Sequence, residues 1–146
     1  MPSVLPRVRI NASAEFVWPV LSALDAYDEW KPVIRKPRRP LAPGSPIDFT
    51  LRLGKINAPI AARIVRADGR ELRWKGPRNK LQTPLARGEH FFRIQSVDEG
   101  SVDVVHGEDF GGPLFALPWR LLEPRIQKAY AQVNQALKER AESRQA

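Results

Sequence analysis

Three side chains that can exchange a proton fall on two segments with the alternation of strands. His90 stands two residues before Phe92, and His106 stands two residues before Glu108; the chain has two histidines in all. Because alternate residues of a strand face the same side, His90 would share a face with Phe92, and His106 and Glu108 would share one with Phe110. An imidazole near a carboxyl in an apolar setting is suited to general acid–base chemistry.

The same residues also have two non-catalytic interpretations. A histidine near a carboxylate within a sheet commonly closes a hydrogen-bond pair between strands, and this structural role is the favoured one. His90, His106 and Glu108 could instead form a three-ligand metal set, although their spacing does not demand one. The three therefore remain candidates for catalysis, and the sequence specifies neither a metal site nor a cofactor.

Aromatic side chains supply a candidate wall for an apolar cavity. They flank the predicted strands and the start of the last helix, where a pocket mouth would lie, although core packing is the simpler interpretation of each one alone. The aromatic set is Trp30, Trp74, Phe110, Phe115, Trp119 and Tyr130. The candidate ligand-binding residues are Trp30, Trp74, His90, Phe92, His106, Glu108, Phe110, Tyr130 and Asn134.

Periodicity predicts the elements that position these residues. Val4 to Ile10 alternates as a strand, and two short helices follow, the second starting near Asp25 and ended by Pro32. About six strands come next; prolines limit any strand between 31 and 46 to a short or edge strand. Asp68-Gly69 is the strongest hairpin signal. The other strands are predicted at Ile47–Leu53, Ile56–Val65, Glu71–Lys75, Gly88–Gln95 and Val102–Phe110.

The last third of the chain has the spacing of one long helix. A single apolar stripe runs along it, although Pro124 would kink a helix that passes through it. Consecutive hairpins imply an antiparallel sheet, and a helix with one apolar stripe has to cover one face of that sheet. We therefore expect one α+β domain over residues 1–146. The stripe consists of Leu122, Ile126, Ala129, Val133 and Leu137.

Composition limits the class of protein. The chain has 146 residues, of which 42% are hydrophobic and 27% charged, as in globular domains. No apolar run is long enough to cross a bilayer, no secretion signal is evident, and no cysteine is present for disulfides. We therefore expect a cytoplasmic protein. Nucleophile-elbow, phosphate-loop and dinucleotide-binding motifs are absent.

The net charge of +8 is partly concentrated in one basic stretch, from Lys31 to Arg39, which holds five basic residues and no acid. Such a stretch could contact an anionic partner or, peripherally, an anionic membrane surface, or it could be a solvated loop. Nucleic acid is the less favoured partner, because aromatic residues are not interleaved for base stacking. The sequence leaves the oligomeric state open.

Two motifs stand in order near the start of the chain, Ile10–Leu21 and Tyr27-Asp28-Glu29-Trp30. They resemble the opening and the following aromatic motif of the polyketide cyclase/dehydrase-like branch of the SRPBCC, or START-like, superfamily; Ser13 departs from a proline that is common there. The resemblance covers nearly the whole chain. Further similar segments are Glu71–Trp74, Gly88–Phe92, His106–Phe110 and Asn134–Lys138.

The resemblance implies the helix-grip fold, a curved antiparallel sheet of about seven strands wrapped around a long C-terminal helix. It also implies a cavity that relatives use for lipids, polyketides or other apolar ligands. The favoured function is non-catalytic binding of a hydrophobic small molecule. One alternative is a cyclase or dehydratase that uses His90, His106 or Glu108 as acid or base. A second alternative is a module that presents its basic surface to an anionic partner.

Overall fold

A computed structural model of the protein confirms a curved antiparallel sheet with a long C-terminal helix. The structure describes residues 3–23, 34–38, 42–53, 56–82, 84–116 and 118–145. At 34–38, 51–53, 56–58, 144 and 145 it describes the backbone alone. The second short helix predicted near Asp25, together with Trp30, lies outside the described residues.

Eight strands and three helices are described, and their bounds follow in chain order. The strands are β1 (Ser3–Val4), β2 (Arg7–Ile10), β3 (Ile34–Arg38), β4 (Pro46–Leu53), β5 (Ile56–Ala67), β6 (Glu71–Gly76), β7 (Arg87–Asp98) and β8 (Ser101–Gly111). The helices are α1 (Ala14–Ser22), α2 (Pro113–Ala116) and α3 (Trp119–Gln145).

The strands form one sheet in which every pairing is antiparallel, in the order β1-β8-β7-β6-β5-β4-β3, with β2 also paired to β8. The single first strand predicted from Val4 to Ile10 is interrupted at Leu5-Pro6 because proline has no N–H to donate. The carbonyl of Pro6 still accepts a bond of 3.0 Å from the backbone N–H of His106. β3 ends the described order, as the prolines around it predict.

The Asp68-Gly69 turn confirms the hairpin predicted from its sequence. Gly69 has φ +91°, a conformation that costs glycine little. The Asp68 carboxylate accepts the backbone N–H groups of Arg70 at 3.0 Å and Glu71 at 2.9 Å. These backbone bonds, led by the one from Glu71, lower the pKa of Asp68 to about 2. The turn therefore fixes the register of β5 against β6.

Helix α3 buries the apolar stripe that its spacing predicts. Ile126, Ala129, Val133 and Leu137 are buried, and Leu122 packs against the same core. Pro124 is the sixth residue of the helix, which continues through it with one backbone hydrogen bond fewer. None of the described helices is both long and apolar enough to span a membrane.

On the outer side of the sheet, a buried carboxylate ties β6 to β7. Glu71 is 6% exposed, and it accepts hydrogen bonds from Arg73 at 3.2 Å and Arg93 at 2.9 Å. Both guanidinium groups lie over the ring of Phe91, 4.5 and 5.1 Å from its centroid. Although burial opposes ionisation, these arginine bonds lower the pKa of Glu71 below its ordinary value.

Candidate functional site

Three candidate side chains occupy one row across the concave face of the sheet. Trp74 on β6 pairs with His90 on β7, and His90 pairs with Glu108 on β8. In the next row, Phe92 pairs with His106. Strand alternation predicts the shared face, and the register adds that the rings and the carboxyl are direct neighbours.

The carboxyl of Glu108 is anchored through one oxygen. Oε1 accepts a hydrogen bond of 2.5 Å from the Tyr130 hydroxyl and lies 2.9 Å from Nδ1 of His90. Oε2 makes no hydrogen bond to any described residue; it lies beside Gly88. The side chain is 15% exposed and lines a cavity, so Oε2 is the oxygen that a bound molecule can reach.

A chain of hydrogen bonds continues from this carboxyl into the interior. Nε2 of His90 lies 2.8 Å from Nε2 of His106, and Nδ1 of His106 lies 3.0 Å from Oδ1 of Asn134. His106 is fully buried and Asn134 is 2% exposed. The chain therefore links Tyr130, Glu108, His90, His106 and Asn134, and only its first three members line the cavity.

Stacked rings hold the two imidazoles in place. The indole of Trp74 lies parallel to His90, with centroids 4.4 Å apart and 8° between the planes. His106 lies between Phe92 at 4.1 Å and the ring of Tyr130 at 4.4 Å, nearly parallel to both. Because the rings cannot tilt without losing this packing, their nitrogens keep their directions.

Burial makes the carboxyl of Glu108 a weak acid. Desolvation raises its pKa from 4.5 to about 7, although the hydrogen bond from Tyr130 favours the ionised form. Burial and the neighbouring Glu108 carboxylate raise the pKa of the Tyr130 hydroxyl well above its usual value. At neutral pH the carboxyl is therefore close to its midpoint while the phenol remains protonated, which suits the carboxyl to proton transfer.

A cavity of about 700 Å³ lies between the concave face and α3. Its lining is mainly apolar; the polar side chains in it include Asn79, Gln82 and Arg87 and the hydrogen-bonded group of Glu108, His90 and Tyr130. Leu85 and Leu114 belong to two segments of the lining that a backbone hydrogen bond of 3.1 Å joins. The volume is in the range of small-molecule sites.

The candidate residues take three different positions. Those that line the cavity are Trp74, His90, Glu108, Phe110, Phe115 and Tyr130. Phe92, His106 and Asn134 are buried in the core and are not among the residues that line this cavity, so their contact with a ligand stays a prediction. Trp119 packs on Phe110, with ring centroids 5.3 Å apart, instead of lining it. The side chains of the basic stretch from Lys31 to Arg39 lie outside the described ones.

Several lining residues carry no sequence signal that marks them as part of a cavity. Phe49, Ile60 and Ala62 come from the inner faces of β4 and β5, and Ile126 comes from α3. Their alternation was visible, but no residue type marked them as more than core. Gly88 also lines the cavity and stands two residues before His90 on the same face. Because it has no side chain, it leaves the space that Oε2 of Glu108 occupies.

The metal alternative finds no support in the described part of the chain. No group of three or more histidine, aspartate or glutamate side chains there is arranged to hold a metal ion. Nε2 of His90 and Nε2 of His106 face each other, and Nδ1 of His90 faces Glu108. The three side chains thus form a linear chain of contacts and do not converge on a point.

The family model for polyketide cyclase / dehydrase and lipid transport proteins matches residues 1–142. The chain belongs to this family. Among curated proteins, no match to this chain was found. A START superfamily protein from Mycobacterium smegmatis superposes with a TM-score of 0.79 at 18% identity, over 97% of each chain.

Two enzymes of known structure share the fold of this family member. The Zhui aromatase/cyclase from Streptomyces sp. R1128 gives a TM-score of 0.78 at 17% identity, covering 99% of this chain and 95% of its own. Norcoclaurine synthase from Thalictrum flavum, solved with a transition-state analogue, gives 0.74 at 14%, covering 99% and 96%. At these identities the likeness establishes the START-like fold alone.

Proposed function

We propose that the protein binds an apolar small molecule in the cavity between the sheet and α3, with one polar group of that molecule at Oε2 of Glu108. The observation that carries the proposal is the combination of an apolar cavity of about 700 Å³ with one carboxyl oxygen that no described side chain engages. Ligand sites commonly pair an apolar wall with a few placed polar groups.

The position of the polar groups supports one orientation of the ligand. Glu108, His90 and Tyr130 are joined by hydrogen bonds and so lie together in the lining, whereas Leu85 and Leu114, which also line the cavity, are exposed. A molecule with a polar group at one end would satisfy the carboxyl and bury its remaining surface against apolar side chains. This burial is the main source of affinity.

A cavity-filling variant tests the proposal. Ala62 is fully buried, lies on the inner face of β5 and lines the cavity. Ala62→Phe should occupy part of that volume and weaken binding of the neutral probe N-phenyl-1-naphthylamine at least tenfold. Ala131→Phe, on the exposed face of α3, is the matched control and should bind like the parent.

Two results would overturn the proposal. The first is equal binding by Ala62→Phe and the parent, with circular dichroism showing both folded. The second is the absence of any apolar probe binding, together with native mass spectrometry of freshly purified protein that detects no co-purified small molecule.

Acid–base catalysis of the cyclase or dehydratase type is a second candidate, favoured by the Glu108 pKa of about 7 and its contact with His90. In this role the carboxyl would exchange a proton with a bound carbonyl compound. The test is dehydration of 4-hydroxy-4-phenylbutan-2-one, followed by absorbance of the enone. Glu108→Gln should lose at least a hundredfold in rate; an unchanged rate would exclude Glu108 as the acid or base.

A further inference from the structure

We propose that Asn134 sets the direction of the hydrogen-bond chain, so that Oε2 of Glu108 is an acceptor and the cavity takes a ligand with a hydroxyl or N–H donor at that point. The ligand part rests on the proposed function. The direction of the chain does not, because it concerns the protein's own protons.

Asn134 forms the buried end of the hydrogen-bond chain. Oδ1 of Asn134 lies 3.0 Å from Nδ1 of His106. An amide oxygen can only accept, so the proton between these two atoms belongs to Nδ1. The amide Nδ2 of Asn134 is buried and has no hydrogen-bond partner in the described part of the chain. The contact through Oδ1 is therefore the side-chain hydrogen bond that holds this amide.

His106 is the next member of the hydrogen-bond chain. This ring is fully buried between the aromatic rings of Phe92 and Tyr130. A positive charge there would be costly, so the ring is neutral and carries one proton. Because that proton is on Nδ1, Nε2 of His106 is an acceptor. The bond of 2.8 Å between the two histidines must then be donated by Nε2 of His90.

The carboxyl of Glu108 follows His90 in the hydrogen-bond chain. With Nε2 of His90 protonated, one proton lies between its Nδ1 and Oε1 of Glu108, which are 2.9 Å apart. That proton makes either a neutral acid–imidazole pair or a carboxylate–imidazolium pair, and both have the same net charge. Tyr130 donates to the same Oε1. In both arrangements Oε2 carries no proton and can only accept.

The opposite direction would give the opposite ligand preference. If Nδ2 of Asn134 donated to His106, every proton in the chain would move to the other end of its bond. His90 would then donate from Nδ1 to Oε1, and the proton of a neutral Glu108 would sit on Oε2, facing the cavity as a donor. The amide at position 134 thus decides which partner the cavity accepts. Asn134 is a positioning residue, because it acts through two histidines.

The ligand consequence follows from pairing rules. A phenolic or enolic hydroxyl, or an N–H, can donate to Oε2. An ether or a simple ketone would place an acceptor against an acceptor, leaving both unpaired in an apolar site, which lowers affinity. The ligand class is therefore an apolar molecule with a hydrogen-bond donor at one end.

The direction of the chain can be read directly in the full-length protein. Long-range 15N–1H correlation spectra of the two histidines report which ring nitrogen carries the proton. We expect His106 to be protonated on Nδ1 alone, and His90 on Nε2 or on both nitrogens. His106 protonated on Nε2 alone, or His90 on Nδ1 alone, would overturn the proposal.

A variant tests whether Asn134 is responsible. Asn134→Leu removes the acceptor at similar volume, so His106 should lose its single tautomer and show a mixture or the reverse form. Gln135→Leu, the same change one residue along on the exposed face of α3, is the control and should keep the parent pattern. A folded Asn134→Leu with the parent tautomers would assign the direction to another cause and refute the role of Asn134.

A pair of probes tests the ligand class. We expect 2-naphthol to bind the parent about tenfold more tightly than 2-methoxynaphthalene, and Asn134→Leu to lose most of that preference. Equal binding of the two compounds to the parent would refute the donor requirement. If neither binds, the proposed function fails, whereas the histidine spectra still decide the direction of the chain.

Discussion

Oε2 of Glu108 lies so close to Gly88 that a methyl group on this glycine would overlap it. The two residues are on neighbouring strands, and Gly88 pairs with Phe110, two residues beyond Glu108. The cavity-facing carboxyl therefore depends on the absence of a side chain at position 88. The glycine acts here through space, since its φ is not in the left-handed region.

Gly88→Ala should displace the carboxyl while leaving the fold intact, because the clashing atom is the end of a flexible side chain. We expect binding of 2-naphthol to fall about tenfold and the free energy of unfolding to change by less than about 1 kcal/mol. Gly100→Ala is the matched control, since a methyl group there meets nothing closer than 3.9 Å. Calorimetric titration and urea unfolding of both variants provide the comparison; unchanged binding by Gly88→Ala would contradict it.

The raised pKa of Glu108 predicts how stability depends on pH. A carboxyl whose folded pKa of about 7 exceeds its unfolded value of 4.5 stabilises the fold fully below pH 4.5. That contribution is lost as pH rises from 4.5 through 7, and the shift corresponds to about 3 kcal/mol. Glu108→Gln cannot ionise, so relative to the parent it should gain stability between pH 5 and pH 8. Urea unfolding at both pH values measures the gain; a pH-independent difference would mean that Glu108 does not titrate in this range.

Replacing Gly107 should lower the stability of the fold, because its neighbours include backbone atoms that cannot move aside. A methyl group there would stand 2.7 Å from the ring of Phe91 and 2.8 Å from the carbonyl oxygen of Val4. Since the backbone of β1 cannot move without losing its pairing to β8, Gly107→Ala should destabilise the protein by about 1–3 kcal/mol. Thermal unfolding, again with Gly100→Ala as reference, checks the prediction. Equal melting temperatures in the two variants would show that β1 yields at little cost.

The buried carboxylate of Glu71 should matter most above its pKa. Glu71→Gln removes the charge that Arg73 and Arg93 bind, so we expect a loss of about 2 kcal/mol at pH 7. Because the pKa of Glu71 is lowered, its contribution is present above the unfolded pKa and disappears as pH falls through the folded pKa. The half-exposed Glu89, with one contact of 3.4 Å to Arg73, offers Glu89→Gln as a control with a loss below about 0.5 kcal/mol. Equal losses in the two variants would contradict the assignment.

The strands, the long helix and one hairpin of this protein were predictable because each has a characteristic pattern of residues along the chain. Alternation in β4 to β8 and the apolar stripe of α3 predicted the sheet and the helix that covers it, and Asp68-Gly69 predicted its hairpin. The shared faces of His90 with Phe92, and of His106 with Glu108, followed from the two-residue period. These inferences use only neighbours along the chain.

The contacts between strands were not predictable in the same way. His90 meets Glu108 because of the register of β7 against β8, which shifts between Ser96 and Asp98. A register shifted by two residues would keep every side chain on its face, yet would place His106 or Phe110 opposite His90. Residue types at separate positions do not encode that offset. The same reason explains why Gly88 was not recognised as the residue that makes room for Glu108.

The pairing of β2 with β8 has a consequence for how the molecule assembles. Arg7 lies opposite Val105, and Lys138 near the end of α3 bonds to the carbonyl of Arg9, so the first strand finds its partners almost at the opposite end of the chain. Because β8 follows β2 in the chain, β2 can pair only after β8 has been synthesised. Long-range closure of this kind is slow, in the range of milliseconds to seconds. Until β2 pairs, the backbone groups along that edge of β8 have no strand partner, and such an open edge can pair with another chain.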